Sequence, residues 1–129
     1  MKKLFIIILI LIVLLMAVIS CQDNGVIVYK SGIFLKIKNE YYIFLDEQYE
    51  DYEDRLFKIQ PAINKENIIN LEKYHNGNTV RISFATIGTL ELPVIDVLSI
   101  DLIDDNTEIP TSDEEIINEL IEKYKQYMY

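Results

Sequence analysis

Hydrophobic and polar positions divide the chain into one continuous apolar block and a long patterned remainder. Leu4 to Ile19 is sixteen apolar residues without interruption. From Val26 onward the pattern has a period of two. Val26-Ile27-Val28-Tyr29 leads through Ser31-Gly32 into Ile33, Leu35 and Ile37, which alternate with Phe34, Lys36 and Lys38. Such alternation predicts a strand with one apolar face. Asn39-Glu40 separates it from Tyr41-Tyr42-Ile43-Phe44-Leu45 at hairpin spacing, and Asn tolerates the left-handed backbone of a tight turn. Leu56 to Ile59 predicts a short third strand closed by Pro61. Val80, Ile82 and Phe84 alternate with Arg81, Ser83 and Ala85 in a fourth, broken at Gly88. Pro93 cannot donate to a ladder, so Leu90 to Leu92 reads as a loop or edge piece and the fifth strand starts at Val94. Val94 to Ile103 is apolar on both alternations except at Asp96, Ser99 and Asp101. It therefore predicts a strand buried along much of its length.

Two stretches change period from two to that of a helix. Asn64 can cap a helix with Ile68, Leu71 and Tyr74 on its inner face, stopped by Gly77. Asp104 to Thr111 is a turn-rich linker, and Ser112-Asp113-Glu114-Glu115 reads as a capping box. Ile116, Ile117, Leu120, Ile121, Tyr124, Tyr127 and Met128 then form one apolar stripe on a helix from Asp113 to Tyr127. Acids at its start and Lys123 and Lys125 near its end suit the helix dipole.

The order is three strands, a helix, two strands and a last helix. Five strands with a helix between the third and fourth is the order of the OB-fold, a small closed barrel. Two segments carry a further likeness: Gly77-Asn78-Thr79-Val80-Arg81-Ile82, and Ile95-Asp96-Val97-Leu98-Ser99-Ile100. They resemble the latter half of bacterial envelope OB-like domains, with a Gly-x-x-Val-x-Val strand entry and an Ile-x-Val-x-x-Ile last strand. Phe84 stands where such domains often place a bending glycine. The expected class is thus mainly β with helices: a five-stranded OB-like small barrel with one inter-strand helix and a C-terminal amphipathic helix. An open α+β antiparallel sheet with a packed helix is the alternative.

The apolar block belongs to a different kind of segment. Lys2 and Lys3 give it a positive start, and Ser20 and Cys21 end it. That is the layout of a secretory signal rather than part of a fold. Val18-Ile19-Ser20-Cys21 resembles the lipobox of bacterial lipoprotein signals, in which cleavage falls between the positions of Ser20 and Cys21. The family prefers Leu where this chain has Val18, and a small residue where it has Ile19; Ser20 and Cys21 match. The resemblance implies that Cys21 is acylated and becomes the first residue of the mature protein. An uncleaved helix is the competitor, but sixteen residues reach only about 24 Å against a hydrocarbon core of roughly 30 Å. An anchor helix also has no need of a cysteine at its end. The expected organisation is a signal peptide over 1–20, a lipidated cysteine and tether over 21–25, and a single globular domain over 26–129.

Composition changes once the signal is set aside. Residues 1–20 carry two of the 12 basic residues and none of the 21 acidic ones, so their removal moves the formal net charge from −9 to −11. Such a surface repels phosphate backbones and anionic headgroups, which argues against nucleic acid as a partner. The membrane tie would come from lipid on Cys21, and several acyl chains anchor where one does not. With the only cysteine used there, no internal disulfide can form.

Candidate chemistry is sparse. His75 is the only histidine, which excludes a multi-His metal site. It lacks a nucleophile in an elbow motif, and no Gly-rich phosphate loop is present. Asp46 to Asp54 places six carboxylates and two tyrosines in nine residues. It lacks the glycine and spacing of a calcium loop, so a solvated loop is the plainer reading. Tyr49, Tyr52, Tyr124 and Tyr127 are the candidate interaction surface. The expectation is a non-enzymatic binding or structural module, lipid-anchored in the cell envelope on the non-cytoplasmic side, without a cofactor or metal. It would meet an envelope protein or a small ligand. A carboxylate-based envelope hydrolase, or a cation-binding lipoprotein, is the alternative.

Overall fold

The computed structural model describes residues 2–22, 26–63, 69–88 and 90–128. They form α1 (Lys2–Gln22), β1 (Val28–Ile37), β2 (Glu40–Leu45), β3 (Leu56–Pro61), β4 (Thr79–Gly88), β5 (Val94–Asp104) and α2 (Thr111–Tyr124). The strands close into a barrel in the order β1-β2-β3-β5-β4. Every pairing is antiparallel except β3 with β5, which run parallel from Lys58↔Val94 to Pro61↔Val97. The chain is a five-stranded, mainly β OB-like barrel, as the element order predicts.

β1 closes the ring by pairing on both sides. It meets β4 from Val28 to Ile33 and β2 from Gly32 to Ile37. At the overlap stands Gly32, where an added Cβ would lie 2.3 Å from the Phe44 carbonyl oxygen. Only a residue without a side chain allows the backbones to approach so closely. The β1–β2 turn is Lys38-Asn39, both at positive φ (48° and 68°), with Ile37 opposite Glu40. It therefore falls one residue before the expected Asn39-Glu40, because a two-residue hairpin turn of this hand needs left-handed backbone at both positions.

The barrel has two cores. Inside it, Phe34, Ile43, Leu45, Phe57, Ile59, Val80, Ile82, Phe84, Ile95 and Val97 pack together, closed at one end by Leu71 and Tyr74. Outside it, Ile33, Leu35, Tyr42, Phe44 and Leu56 form a second cluster with Leu92, Ile117, Leu120 and Met128. The apolar face expected from Ile33, Leu35 and Ile37 is thus the outer one, and Phe34 is the residue that fills the barrel. Consecutive buried residues in β1 and β2 follow from this, since each side of these strands meets a core.

Four further expectations change. Between β3 and β4 the described residues hold a single 3-10 turn, Leu71–Lys73, capped by the Asn70 side chain, which accepts from the Glu72 amide at 3.1 Å; Asn64 and Ile68 lie outside the described residues. The Ser112–Glu115 capping box does not form. α2 starts at Thr111 behind Pro110, with no side-chain cap bond, so Ser112 is already inside the helix. α2 ends at Tyr124 and a 3-10 turn carries Lys125–Tyr127. β5 is buried only over its first half, and Leu102 and Ile103 are half exposed. Past Val97 it has lost β3 as a neighbour and pairs with β4 alone.

Candidate functional site

The loop from Asp46 to Arg55 connects β2 to β3 and is pinned where it leaves the barrel. The Leu45 amide donates to the Arg55 carbonyl (2.9 Å) and the Asp46 amide to the Ser31 carbonyl (3.0 Å). Its acidic side chains Asp46, Glu47, Glu50, Asp51 and Glu53 are exposed, as like charges require. The two tyrosines are not. Tyr49 and Tyr52 are half-buried against the interior cluster and stack on each other at 6.0 Å. Tyr49 sets its edge on Phe84 and Tyr52 on Phe57, in T-shaped pairs at 5.6 and 5.2 Å. The Lys30 ammonium lies over the Tyr49 ring. Burial, followed by the neighbouring Glu50 charge, pushes the Tyr49 hydroxyl above its ordinary pKa. The loop is therefore part plug and part acidic rim. The tyrosines supply the apolar area that a run of carboxylates cannot.

Asp54 ends this loop and ties it to α2. Its carboxylate accepts from Lys123 Nζ at 2.7 Å and from the Tyr124 hydroxyl at 2.5 Å. Burial alone would push the carboxyl up, but the hydrogen bonds from Lys123 and Tyr124 outweigh it and hold it below the usual carboxylate range. Burial and then the Asp54 carboxylate push Tyr124 the other way, upward. A carboxyl lowered in the folded state stabilises above its unfolded pKa and loses that contribution as pH falls through the folded value. Asp54→Asn should therefore melt below the wild type at neutral pH. The difference should close in acid below about pH 4, measured as thermal midpoints against pH. A difference that persists in acid would assign the link to packing instead of charge.

Among the four tyrosines singled out in the sequence, the structure brings together Tyr49 with Tyr52, and links Tyr124 to the same loop through Asp54. Tyr127 is exposed in the 3-10 turn, lining a groove of about 380 Å³ with Lys58, Leu90, Leu92 and Val94. His75 lies at the opposite end of β1, beside a shallow cleft of about 470 Å³ with Lys73, Tyr74, Asn78 and Asp101. Its backbone amide donates to the Asn78 Oδ1 at 2.8 Å, and Asn78 in turn donates from Nδ2 to the Asn106 carbonyl. Gly77, at φ 93°, donates to the Phe34 carbonyl, so this turn closes the barrel end. Among the described residues, no group of three His, Cys, Asp and Glu side chains is placed to hold a metal. The side chains of Ser20 and Cys21 lie outside the described part of the structure.

The sequence reading missed Leu92 and Arg55. Leu92 is buried in the outer cluster from a loop. Arg55 covers the Phe44 ring at 4.3 Å and donates from Nη1 to the Asp46 carbonyl at 2.7 Å. Neither carries a periodic signal; a lone apolar residue before Pro93 and a cation ending an acidic run are the only hints. No family model matches the chain, and no curated protein or solved structure does.

Proposed function

We propose that the chain is a lipid-anchored protein of the cell envelope, held by acyl chains on Cys21, whose barrel is a non-enzymatic binding or structural module on the non-cytoplasmic side. One observation carries this reading: Lys2-Lys3, the unbroken run Leu4 to Ile19, and Ser20-Cys21 at its end. The exposure of the run supports it. Leu4 to Leu14 are each 48–69% exposed, and none joins either core cluster. An apolar helix that contributes nothing to a domain's core is accounted for by removal or by lipid. Among the described residues no helix is long and apolar enough to cross a membrane.

Barrels of this kind take extended ligands across the outer face of their second and third strands. Here that face is covered by α2, Leu92 and Met128. Asp54 is an ion-paired tie between loop and helix, its carboxylate engaged by Lys123 and Tyr124. Among the described residues, exposed surface remains at the acidic rim and along β1, β4 and β5, where Tyr29, Arg81, Leu102 and Ile103 are exposed.

Intact mass of protein extracted from membranes tests the anchor. The expected mass is that of the chain from Cys21 with its acyl chains. Cys21→Ser should leave the precursor uncleaved and without lipid. A chain that still begins at Met1 in the wild type would refute the reading.

A further inference from the structure

The start of the barrel carries apolar side chains that the described residues leave uncovered. Val26, Ile27 and Tyr29 are 78%, 50% and 63% exposed. Val28, between them, packs against the interior cluster, and Tyr29 turns away from it on the side where β1 meets β4 at Ser83. α2 covers a different part of the sheet, over Ile33, Leu35, Tyr42 and Phe44. The geometry points to Val26, Ile27 and Tyr29 as a membrane-contact surface, seated in the headgroup region of the leaflet that holds the acyl chains on Cys21. This placement rests on the lipid-anchor reading above.

Length is the first argument. Five Cα steps separate Cys21 from Val26, and even fully extended they span only about 17 Å. A lipid on Cys21 therefore keeps Val26, the first of the three side chains, within that distance of the bilayer, with Ile27 and Tyr29 one and three residues further on. Chemistry is the second. Tyrosine is amphipathic and favours the headgroup level, while Val and Ile gain from leaving water. Charge then selects the lipid. The Asp46 amide is bonded to the Ser31 carbonyl and Lys30 lies over Tyr49, so the acidic loop stands at the same end of the barrel. Its exposed Asp46, Glu47, Glu50, Asp51 and Glu53 outnumber Lys30 and Arg81, the cations beside Tyr29 and Ser83. Anionic headgroups would be repelled there, and the surface fits an electrically neutral leaflet.

The chain contains no tryptophan, so a single introduced indole reports alone. Tyr29→Trp places it on the proposed surface. Lys36→Trp, exposed and seven residues further along the same strand, places it roughly 23 Å away. Each full-length acylated variant is extracted from membranes and reconstituted into phosphatidylcholine vesicles with brominated acyl chains. Emission of the Tyr29→Trp variant should shift to the blue and fall about twofold or more, while that of the Lys36→Trp variant stays unquenched. Phosphatidylglycerol in the vesicles, or Ile27→Asp added to Tyr29→Trp, should restore the emission. Equal emission from the two variants, whether both quenched or neither, would overturn the surface, and stronger quenching on anionic vesicles would overturn the choice of lipid. Intact mass of the same sample separates the two readings. An unacylated Cys21 refutes the anchor, whereas an acylated Tyr29→Trp chain whose indole is unquenched refutes only the contact.

Discussion

Phe34→Ala is expected to remove about 3–5 kcal/mol of stability, a large share of the roughly 5–15 kcal/mol that holds a domain of this size together. Phe34 is fully buried inside the barrel, near the end that Leu71 and Tyr74 close, with its ring 5.7 Å from that of Tyr41 and 5.6 Å from that of Tyr74. Its backbone is held as firmly, since its amide donates to the Asn78 carbonyl and its carbonyl accepts from the Gly77 amide. The strand cannot slide to fill the space. A closed barrel also resists collapse, because moving any strand inward breaks ladders on both of its edges. Denaturant unfolding of the full chain in detergent, followed by circular dichroism, reads the loss. A change below about 1 kcal/mol would mean that the interior repacks around the cavity.

Leu120→Ala should cost about 2–5 kcal/mol in the same assay. Leu120 is buried with Ile117 and Met128 against Tyr42, Phe44 and Leu56, so the truncation opens a cavity between α2 and the barrel. Tyr42 also donates from its hydroxyl to the Met128 carbonyl at 3.4 Å, tying the end of the chain to β2. Ile116, one residue before Ile117, is exposed. Ile116→Ala should therefore change stability by no more than about 0.5 kcal/mol, which makes it the control. An unchanged midpoint for Leu120→Ala would show that α2 does not bear on the barrel and is free to grip a partner.

The contrast between Ile116 and Ile117 shows where pattern stops being enough. Seven apolar positions at helical spacing identify a helix and a stripe. How much of the stripe is covered depends on the width of the surface it lands on, and that surface is built by β1, β2 and β3. The same holds for the acidic loop. Its six carboxylates read from sequence as solvated, and five are, whereas Asp54 is bonded to Lys123 and Tyr124 of α2. That Tyr49 and Tyr52 turn inward onto Phe84 and Phe57 depends on an open barrel end beside them, which no local pattern encodes.

By itself the sequence determined the elements that rest on local physics. Period-two alternation located β1 and β4, hairpin spacing β2, short apolar runs bounded by Pro61 and Pro93 located β3 and the start of β5, and helical spacing located α2. The order of those elements pointed to the barrel and left an open α+β sheet as the alternative, because few closed arrangements accommodate five short strands in that order. What tertiary structure alone decided was the side each residue serves. Ile33, Leu35 and Phe34 are equally apolar, and alternation places them on two faces without saying which face is inside. The answer comes from closure: β1 pairs with both β2 and β4 around Gly32, which turns Phe34 into the barrel and leaves Ile33 and Leu35 for α2. The same long-range closure placed Asp54 beside Lys123 and Tyr124, some 70 residues on, a meeting that no spacing along the chain could announce.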